Sequence, residues 1–356
     1  MTGSTALNTI VYLSGLGLAV PDNVIRQADA AALAETLFSD RIKGFRHLAP
    51  IFSNSGIRER HMTQPLSWFV EPHGWAERMQ AYVEGASRLF VDAATRAIRQ
   101  AGLEAEDIDS VVTVSSTGFS VPSIEARVAS EMGFRPDIER VPVFGLGCAG
   151  GVSGFSIASR LAAGRPGARV LLVAIELCSL AFRLDEPTNV NVVASALFGD
   201  GAAACVLTAG GGGMASVEFT GEHLFPDTLD IMGWRVDDPG LGIVLAQSLP
   251  HFVSSRIGPV IAEMLSHNGL GAADIDRFIC HPGGAKVLDA LEGALSLGQG
   301  TLNDERQVLA EYGNMSSPTV LFVLDRAIRA GLPERSAMIA MGPGFSASCV
   351  TLKRAA

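Results

Sequence analysis

Cys148 occupies a position that suits a nucleophile. It follows an apolar run at residues 141–144, which predicts the end of a buried strand, and it precedes small and apolar residues that recur at helical spacing up to residue 164. At such a junction, free backbone N–H groups and the positive end of the helix dipole favour a thiolate over a thiol. We therefore expect the thiol pKa to lie below its usual value of about 8.5.

Two more side chains complete a set that could do acyl chemistry. His281 follows a predicted strand and precedes two glycines in the run HPGG, and Asn314 stands in the run YGNMSS. Taken alone, each also fits a structural role, the histidine in the core and the asparagine as a helix cap. Together with Cys148 they are more specific, because an imidazole can take the proton of a thiol. Imidazole and amide N–H groups can also stabilise a carbonyl oxyanion, or the enolate of a decarboxylated malonyl thioester.

An internal repeat predicts how these residues are brought together. Residues 101–109 read AGLEAEDID and residues 268–276 read NGLGAADID, and each stretch precedes an apolar strand. At nearly the same offset of about 166 residues, Gly147-Cys148 falls on Gly313-Asn314. Two copies of one α/β unit would place the equivalent helix N-termini near a pseudo-twofold axis, where ligands favour binding. Arg160 and Arg169 likewise fall on Arg326 and Arg335.

The remaining pattern gives a coarse order of elements. Residues 224–249 look irregular, with short strands, and are a natural wall for a pocket. The periodicity predicts a helix at 24–40, a second helix that ends at residue 100, and a third at 320–330. It predicts strands at 10–20, 107–115, 170–175, 205–208, 277–280 and 337–341.

Composition excludes several classes of protein. The 356 residues are 48% hydrophobic and 18% charged, which suits one large two-part domain or two domains. The net charge of −10 argues against nucleic-acid binding through a basic face. Because the five cysteines are scattered without CxxC spacing, we expect neither a zinc site nor a disulfide framework. This pattern fits a protein of the reducing cytoplasm. Apolar runs are too short to span a membrane, and no Lys or Arg precedes residues 10–20 as in a signal peptide.

Other catalytic and binding motifs fit less well. Gly145, Gly147 and Gly150 spell the GxGxxG dinucleotide fingerprint, but that motif normally opens a domain, and here the next acidic residue is Glu176. There is no GxSxG elbow of a serine hydrolase and no papain-type cysteine motif. Cys280 should point to the opposite side of its strand from His281, which argues against a metal pair.

Five motifs taken in order resemble the type III polyketide synthases, relatives of chalcone synthase. They are GLGCAGG (145–151), ALFGDGAAA (196–204), HPGG (281–284), YGNMSS (312–317) and GPGF (342–345). The resemblance implies an α/β protein with the thiolase-type five-layered αβαβα fold. It would be built from two duplicated halves, at residues 1–210 and 211–356, and would act as a homodimer.

The resemblance also implies a reaction. Its catalytic triad would be Cys148, His281 and Asn314. The cysteine takes an acyl group from an acyl-CoA starter, malonyl-CoA is decarboxylated, and the enolate attacks the cysteinyl thioester. After several extensions the chain is cyclised in the same cavity. No metal, redox cofactor or carrier protein is needed.

Further positions match the family's substrate pocket. Phe198 corresponds to a phenylalanine at the junction of CoA tunnel and cavity, and Ile243 stands where the family has a second one. Val121 corresponds to a residue that reaches into the partner's cavity. Other matching substrate-binding positions are Ser116, Thr117, Cys178, Ala181, Trp234 and Gly283, with Gly342, Pro343 and Gly344 as the cyclisation floor.

Departures from the plant enzymes bear on the substrates. The basic residues for the CoA phosphates align with His47, Pro50 and Asn54, so we hypothesise that Arg46, Arg58 or Arg60 substitutes for them. Ala181 and Ile243 are smaller than the plant residues, and DIMGWRV (230–236) resembles bacterial members that make alkylresorcinols and alkylpyrones. We therefore predict a medium or long fatty acyl-CoA starter, because each buried CH₂ is worth about 0.8 kcal/mol.

Three alternatives stay open at this point. A ketoacyl synthase III has the same fold but usually places its histidine in an HQAN-like context. A non-catalytic acyl-CoA-binding homologue would not need the intact triad. A hydroxymethylglutaryl-CoA synthase would need an extra catalytic glutamate, and Glu71, Glu77 and Glu84 stand in no matching motif.

Overall fold

The computed structural model describes residues 9–355. Its strands are β1 (Val11–Ala19), β2 (Asn23–Arg26), β3 (Glu59–Met62), β4 (Ser110–Val114), β5 (Glu139–Val143), β6 (Arg169–Leu177), β7 (Asp200–Ala209), β8 (Ala215–Leu224), β9 (Met232–Asp237), β10 (Gly240–Leu245), β11 (Arg277–Cys280), β12 (Arg335–Gly342) and β13 (Ser346–Arg354). Its α-helices are α1 (Gln27–Phe38), α2 (Phe45–Leu48), α3 (Pro50–Asn54), α4 (Trp75–Gln100), α5 (Ile124–Met132), α6 (Gly150–Ala163), α7 (Asn189–Leu197), α8 (Leu249–Ser266), α9 (Ala285–Ala294), α10 (Asn303–Tyr312) and α11 (Thr319–Arg329).

Nine strands form one hydrogen-bonded sheet in the order β11-β12-β13-β8-β1-β7-β6-β4-β5. The N-terminal half supplies β1 and β4 to β7, and the C-terminal half supplies the other four. The halves meet where β1 pairs with β8 over two residue pairs, Tyr12 with Ser216 and Leu13 with Ala215. This short junction lets the two parts of the sheet turn their faces toward a shared layer of helices.

Alternate residues of the strands enter different cores and define five layers. On β6, Val170, Leu172 and Ala174 face a central core shared with α6 and α11, whereas Leu171 and Val173 face an outer core with α4. The strands of the C-terminal half bury one face in the same central core and the other against α8 and α9. The order is therefore helix, sheet, helix, sheet, helix, and the predicted α/β layering is confirmed.

The two halves repeat the same local contacts. Asp109 accepts a hydrogen bond from the backbone N–H of Arg169 at 2.9 Å, and Asp276 accepts one from the N–H of Arg335 at 2.7 Å. In each half a 3₁₀ turn precedes the strand, at Ala105–Asp107 and at Ala272–Asp274. The duplication read from the sequence is present in the structure, and it brings α6 and α11 together in one core.

Several predicted boundaries shift. The strand expected at 205–208 begins earlier, at Asp200, because residues from the turn pair with β1 and β6. The irregular segment 224–249 contains the antiparallel hairpin of β9 and β10. The division at residue 210 falls in the turn between β7 and β8 and stays a prediction, and its outer ends, residues 1–8 and 356, lie outside the described residues. Within residues 9–355, no helix has the length and apolar character to cross a membrane.

Candidate active site

Cys148 lies in a 3₁₀ turn, Gly147–Ala149, between β5 and the first turn of α6. Gly147 has a φ of +48°, and a Cβ atom there would lie 2.6 Å from Cδ of Pro343, so a glycine is required. The Ser116 hydroxyl oxygen accepts the N–H groups of Gly145 at 3.2 Å and Gly147 at 3.1 Å. These two hydrogen bonds fix the position of the turn and, with it, that of the buried thiol.

Asn314 and His281 come from the C-terminal half. The Asn314 side-chain oxygen accepts the N–H of Ser316 at 2.7 Å, and its Nδ2 donates to the carbonyl of Gly283 at 3.2 Å. A Cβ atom at Gly283 would lie 3.8 Å from the His281 ring, so the Asn314 amide is bonded to the loop that carries the imidazole. Both ring nitrogens are buried and have no hydrogen-bond partner within residues 9–355. The imidazole is therefore available to a substrate or to the thiol.

The electrostatics of Cys148 differ from the sequence expectation. Burial raises the pKa of this thiol to about 11, the nearby Glu176 adds to the rise, and hydrogen bonds with the Ser316 and Asn314 side chains oppose it. Burial likewise lowers the pKa of His281 to about 3. The predicted low thiol pKa is thus wrong, because loss of hydration outweighs the field of the helix N-terminus. At neutral pH the pair is a thiol and a neutral imidazole.

Glu176, at the end of β6, connects the two halves behind the nucleophile. Its carboxylate accepts hydrogen bonds from the N–H of Ser116 at 3.0 Å and from the hydroxyls of Thr117 at 2.8 Å and Ser317 at 3.1 Å. Burial raises its pKa to about 7. From the sequence, Glu176 was interpreted only as evidence against a nucleotide site. A lone acidic residue in the apolar run VLLVAIEL was the signal that could have found it.

A cavity extends from the predicted pocket residues to helix α1. At the end toward the catalytic residues, Phe198 bridges to Asn314 through the backbone, and its ring lies 6.3 Å from that of Trp234. Trp234 pairs with Ile243 across the hairpin of β9 and β10. The cavity is lined by Ala30, Leu33, Ala34, Leu37, Phe38, Arg60, Met62, Leu66, Phe69, Cys178, Ser179, Phe182, Asn191, Ala194, Ser195, Phe198 and Ile243.

The loop between β12 and β13 lies against the nucleophile turn. A Cβ atom at Gly342 would lie 2.4 Å from the carbonyl oxygen of Leu146, and Pro343 contacts Gly147. Gly344 has a φ of +124° and approaches Leu224. The position next to Cys148 is where a cyclisation floor would have to be, although that role stays a prediction.

The other predicted pocket residues lie in different places. Ser116 and Thr117 are buried, and their hydroxyls face the supporting network around Glu176. Ala181 is buried in the 3₁₀ turn that begins at Cys178. Val121 is 93% exposed.

The three arginines proposed for the CoA phosphates differ in their exposure. Arg60 is fully buried, and its Nη1 donates to backbone carbonyls of Ser195 and Phe198, so it cannot meet a phosphate in solvent. Its assignment to CoA is wrong, because alternation along β3 turns this side chain inward. Arg58 is exposed and lies 3.5 Å from Glu311, and Arg46 is exposed on α2.

Comparisons with known proteins agree with this arrangement. The model of the chalcone and stilbene synthase N-terminal domain matches residues 4–211, and that of the C-terminal domain matches residues 216–354. The chain belongs to this family, the type III polyketide synthases. Its resemblance through the five motifs is confirmed, and the family assignment disfavours the ketoacyl synthase III and hydroxymethylglutaryl-CoA synthase alternatives.

Individual relatives match this polyketide synthase over almost its whole length. A 1,3,6,8-tetrahydroxynaphthalene synthase of Streptomyces peucetius is 36% identical, over 98% of this chain and 94% of the relative. An alpha-pyrone synthesis polyketide synthase-like protein of Mycobacterium tuberculosis is 32% identical, over 95% and 88%. The crystal structure of the tetrahydroxynaphthalene synthase from Streptomyces coelicolor superposes with a TM-score of 0.93 at 31% identity, covering 97% and 99% of the two chains. The thiolase-type fold is thereby confirmed, and the protein is an enzyme of decarboxylative condensation that uses malonyl-CoA.

Proposed function

We propose that this polyketide synthase transfers a fatty acyl group from acyl-CoA to Cys148, extends it with several malonyl-CoA units, and cyclises the product to an alkylpyrone, alkylresorcinol or alkylresorcylic acid. The observation that carries the proposal is the largely apolar cavity that runs from Phe198, Cys178 and Ile243 to helix α1. The reaction as proposed draws on no metal or redox cofactor. All five cysteines are buried thiols, which suits the cytoplasm, where we place the enzyme.

The neutral thiol and imidazole define the loading step. As Cys148 Sγ attacks the thioester carbonyl, its proton passes to His281, and the departing CoA sulfur takes that proton in turn. Malonyl-CoA then loses CO₂, and its electron pair forms an enolate whose oxygen faces N–H donors of His281 and Asn314. The enolate carbon attacks the cysteinyl thioester and expels the Cys148 thiolate. A neutral amide at Asn314 suits this step, since a carboxylate there would repel the enolate.

The aliphatic residues that line the cavity support an aliphatic starter. Ala30 and Ala34 present only methyl groups to it from α1, and Ile243 replaces a ring-sized residue of the plant enzymes. Each CH₂ taken from water into such a wall is worth about 0.8 kcal/mol, so two extra methylenes improve binding roughly ten-fold. We expect affinity to rise with chain length until the cavity is filled.

Arg58 and Arg46 remain the candidates for the CoA phosphates. Both are exposed near the N-terminal helices, and Arg58 could exchange its exposed contact with Glu311 for a phosphate. We expect Arg58→Ala to raise KM for malonyl-CoA about ten-fold with little change in kcat, as steady-state kinetics would measure. An unchanged KM would remove Arg58 from the site.

We also propose that two copies associate through the face beside β5. This edge strand of the nine-stranded sheet is exposed, and Phe119, Val121 and Phe144 near it are 60%, 93% and 61% exposed. Apolar exposure of this extent, next to an open sheet edge, is typical of an interface. Light scattering should give the mass of a dimer for the wild type, and Val121→Asp should shift it toward the monomer. A monomeric wild type at micromolar concentration would contradict the proposal.

Mass spectrometry of products tests the function directly. Purified protein is incubated with malonyl-CoA and starters from acetyl-CoA to stearoyl-CoA, with Cys148→Ala as the inactive control. Alkylated pyrones or resorcinols that are absent with the variant would support the proposal, and their masses would give starter and extension number. A single β-keto product would indicate a one-step condensing enzyme. Acyl-CoA bound but unchanged would indicate a binding protein.

A second candidate product is 1,3,6,8-tetrahydroxynaphthalene. Two relatives are named as synthases of this product, and they are 36% and 33% identical over 98% and 93% of this chain. Incubation with malonyl-CoA alone separates the two candidates, because formation of this naphthalene without an acyl-CoA starter would favour the second.

A further inference from the structure

A buried cation lines the cavity described above. Arg60 has 0% of its surface exposed, and its Nη1 donates to the carbonyls of Ser195 at 2.6 Å and Phe198 at 2.8 Å. These carbonyls lie at the C-terminal end of α7, where the helix dipole favours positive charge. Its Nε and Nη2 have no hydrogen-bond partner within residues 9–355. Burial lowers the pKa of Arg60 to about 10, so the guanidinium stays charged at neutral pH.

Asp200, the carboxylate whose charge acts on Arg60, already has hydrogen-bond partners of its own. Asp200 accepts hydrogen bonds from the N–H of Thr63 at 2.7 Å and from the N–H and hydroxyl of Ser179 at 2.7 and 2.6 Å. It acts on Arg60 through charge alone, without a hydrogen bond in the described part of the chain. The positive charge therefore keeps two donors to offer to a ligand.

Other polar groups on the wall have partners of their own. The Ser195 hydroxyl donates to the carbonyl of Val192 at 2.7 Å, and the Asn191 amide donates to the carbonyl of Glu186 at 3.0 Å. Because these groups are satisfied locally, Arg60 is the feature of the wall that can select an anionic group. A ligand for this cavity should thus combine one anion with an apolar body.

The apolar part of the wall has the form of a channel toward the surface. Helix α1 contributes Ala34 as a buried contact, and Leu33, Leu37 and Leu66 are only half-buried at the outer end. An unbranched alkyl chain would fit between α1 and α7.

We propose that this cavity binds a free fatty carboxylate, with the carboxylate on Nε and Nη2 of Arg60 and the alkyl chain along α1. A guanidinium edge matches the two oxygens of a carboxylate in geometry. A fatty acid bound there occupies the space of a starter's acyl tail and inhibits loading competitively; this last consequence rests on the proposed function. The binding itself does not.

Calorimetry with the full chain and no CoA compound tests the binding. Sodium decanoate and 1-decanol share the same alkyl chain and differ in the head group. We expect decanoate to bind at least ten-fold more tightly than decanol. Equal affinities, or no decanoate binding up to millimolar concentration, would overturn the proposal whatever products the enzyme makes.

Variants locate the two ends of the ligand. Arg60→Lys should keep a preference for decanoate, and Arg60→Met should lose it. Ala34→Phe fills the alkyl channel without changing Arg60, so it provides a test even where Arg60→Met does not fold, and it should weaken both ligands at least ten-fold. Ala32→Phe, on the exposed face of α1, is the matched control. Decanoate binding to Ala34→Phe at wild-type affinity would place the site elsewhere and refute the assignment.

Discussion

One hydroxyl behind the nucleophile should control the stability of the whole turn. Ser116 is 2% exposed, and its oxygen accepts the N–H groups of both Gly145 and Gly147. Replacing it with alanine removes this acceptor while the backbone keeps its allowed conformation. The two N–H groups then have to find other partners or remain unpaired.

The magnitude follows from the burial of the two donors. The bond from Gly147 is buried, and a buried donor left unpaired costs about 1–3 kcal/mol. The bond from Gly145 is partly buried, so water can replace the oxygen at a cost of about 0.5–1 kcal/mol. We expect Ser116→Ala to lower the free energy of unfolding by about 2–3 kcal/mol. Because a displacement of about 1 Å can cost on the order of 10² in rate, condensation should also slow at least ten-fold.

Urea unfolding followed by fluorescence measures the first effect, and product formation at saturating malonyl-CoA measures the second. Ser53→Ala is the control, since it removes one exposed hydrogen bond to Pro50 and should change stability by less than about 0.5 kcal/mol. If Ser116→Ala were as stable as this control, the hydroxyl would not hold the turn, and its role as a pocket residue would regain weight.

Three further predictions concern charge. Glu176→Gln should speed alkylation of Cys148 at mildly alkaline pH, because the carboxylate raises the thiol pKa; iodoacetamide kinetics would show it, and an unchanged rate would contradict it. Burial raises the pKa of Glu305 to about 7. Between pH 4.5 and 7 the native state thus keeps a proton on Glu305 that the unfolded chain releases. The free energy of unfolding of the wild type, relative to that of Glu305→Gln, should therefore fall by about 3 kcal/mol as pH rises over this range. Urea titrations at both ends of that range would test this, and a pH-independent difference would refute it. Asn314→Asp should slow malonyl-CoA decarboxylation by about 10²–10³, measured as CO₂ release, and a rate near wild type would exclude its donor role.

Local patterns were enough for much of the fold and for the catalytic residues as candidates. The periodicity around Cys148 predicted a buried strand, a turn and a helix. A strand and a helix, β5 and α6, lie there, but the predicted burial is wrong because β5 is an exposed edge strand of the sheet. The repeat at 101–109 and 268–276 predicted two similar halves, because duplicated halves keep the same short-range contacts. The five motifs gave the family, since each is a run of neighbouring residues.

Other features depend on residues far apart in the chain. Arg60 was read as a surface cation, yet it is buried against the end of α7, about which a short strand sequence says nothing. Glu176 draws its partners from residues near 116 and 317, so its central place could not be read locally. The cavity joins α1, α7 and the hairpin of β9 and β10, and its volume depends on how they pack.

The amino-acid sequence by itself determined which groups can react and which elements carry them, because periodicity, turn chemistry and motifs act over a few residues. Only the tertiary structure decided their protonation. Burial raises the pKa of Cys148 to about 11 and lowers that of His281 to about 3, against the shift that a helix N-terminus alone would give the thiol. Loss of hydration depends on everything that surrounds a group, and that surrounding exists only once distant segments have folded together.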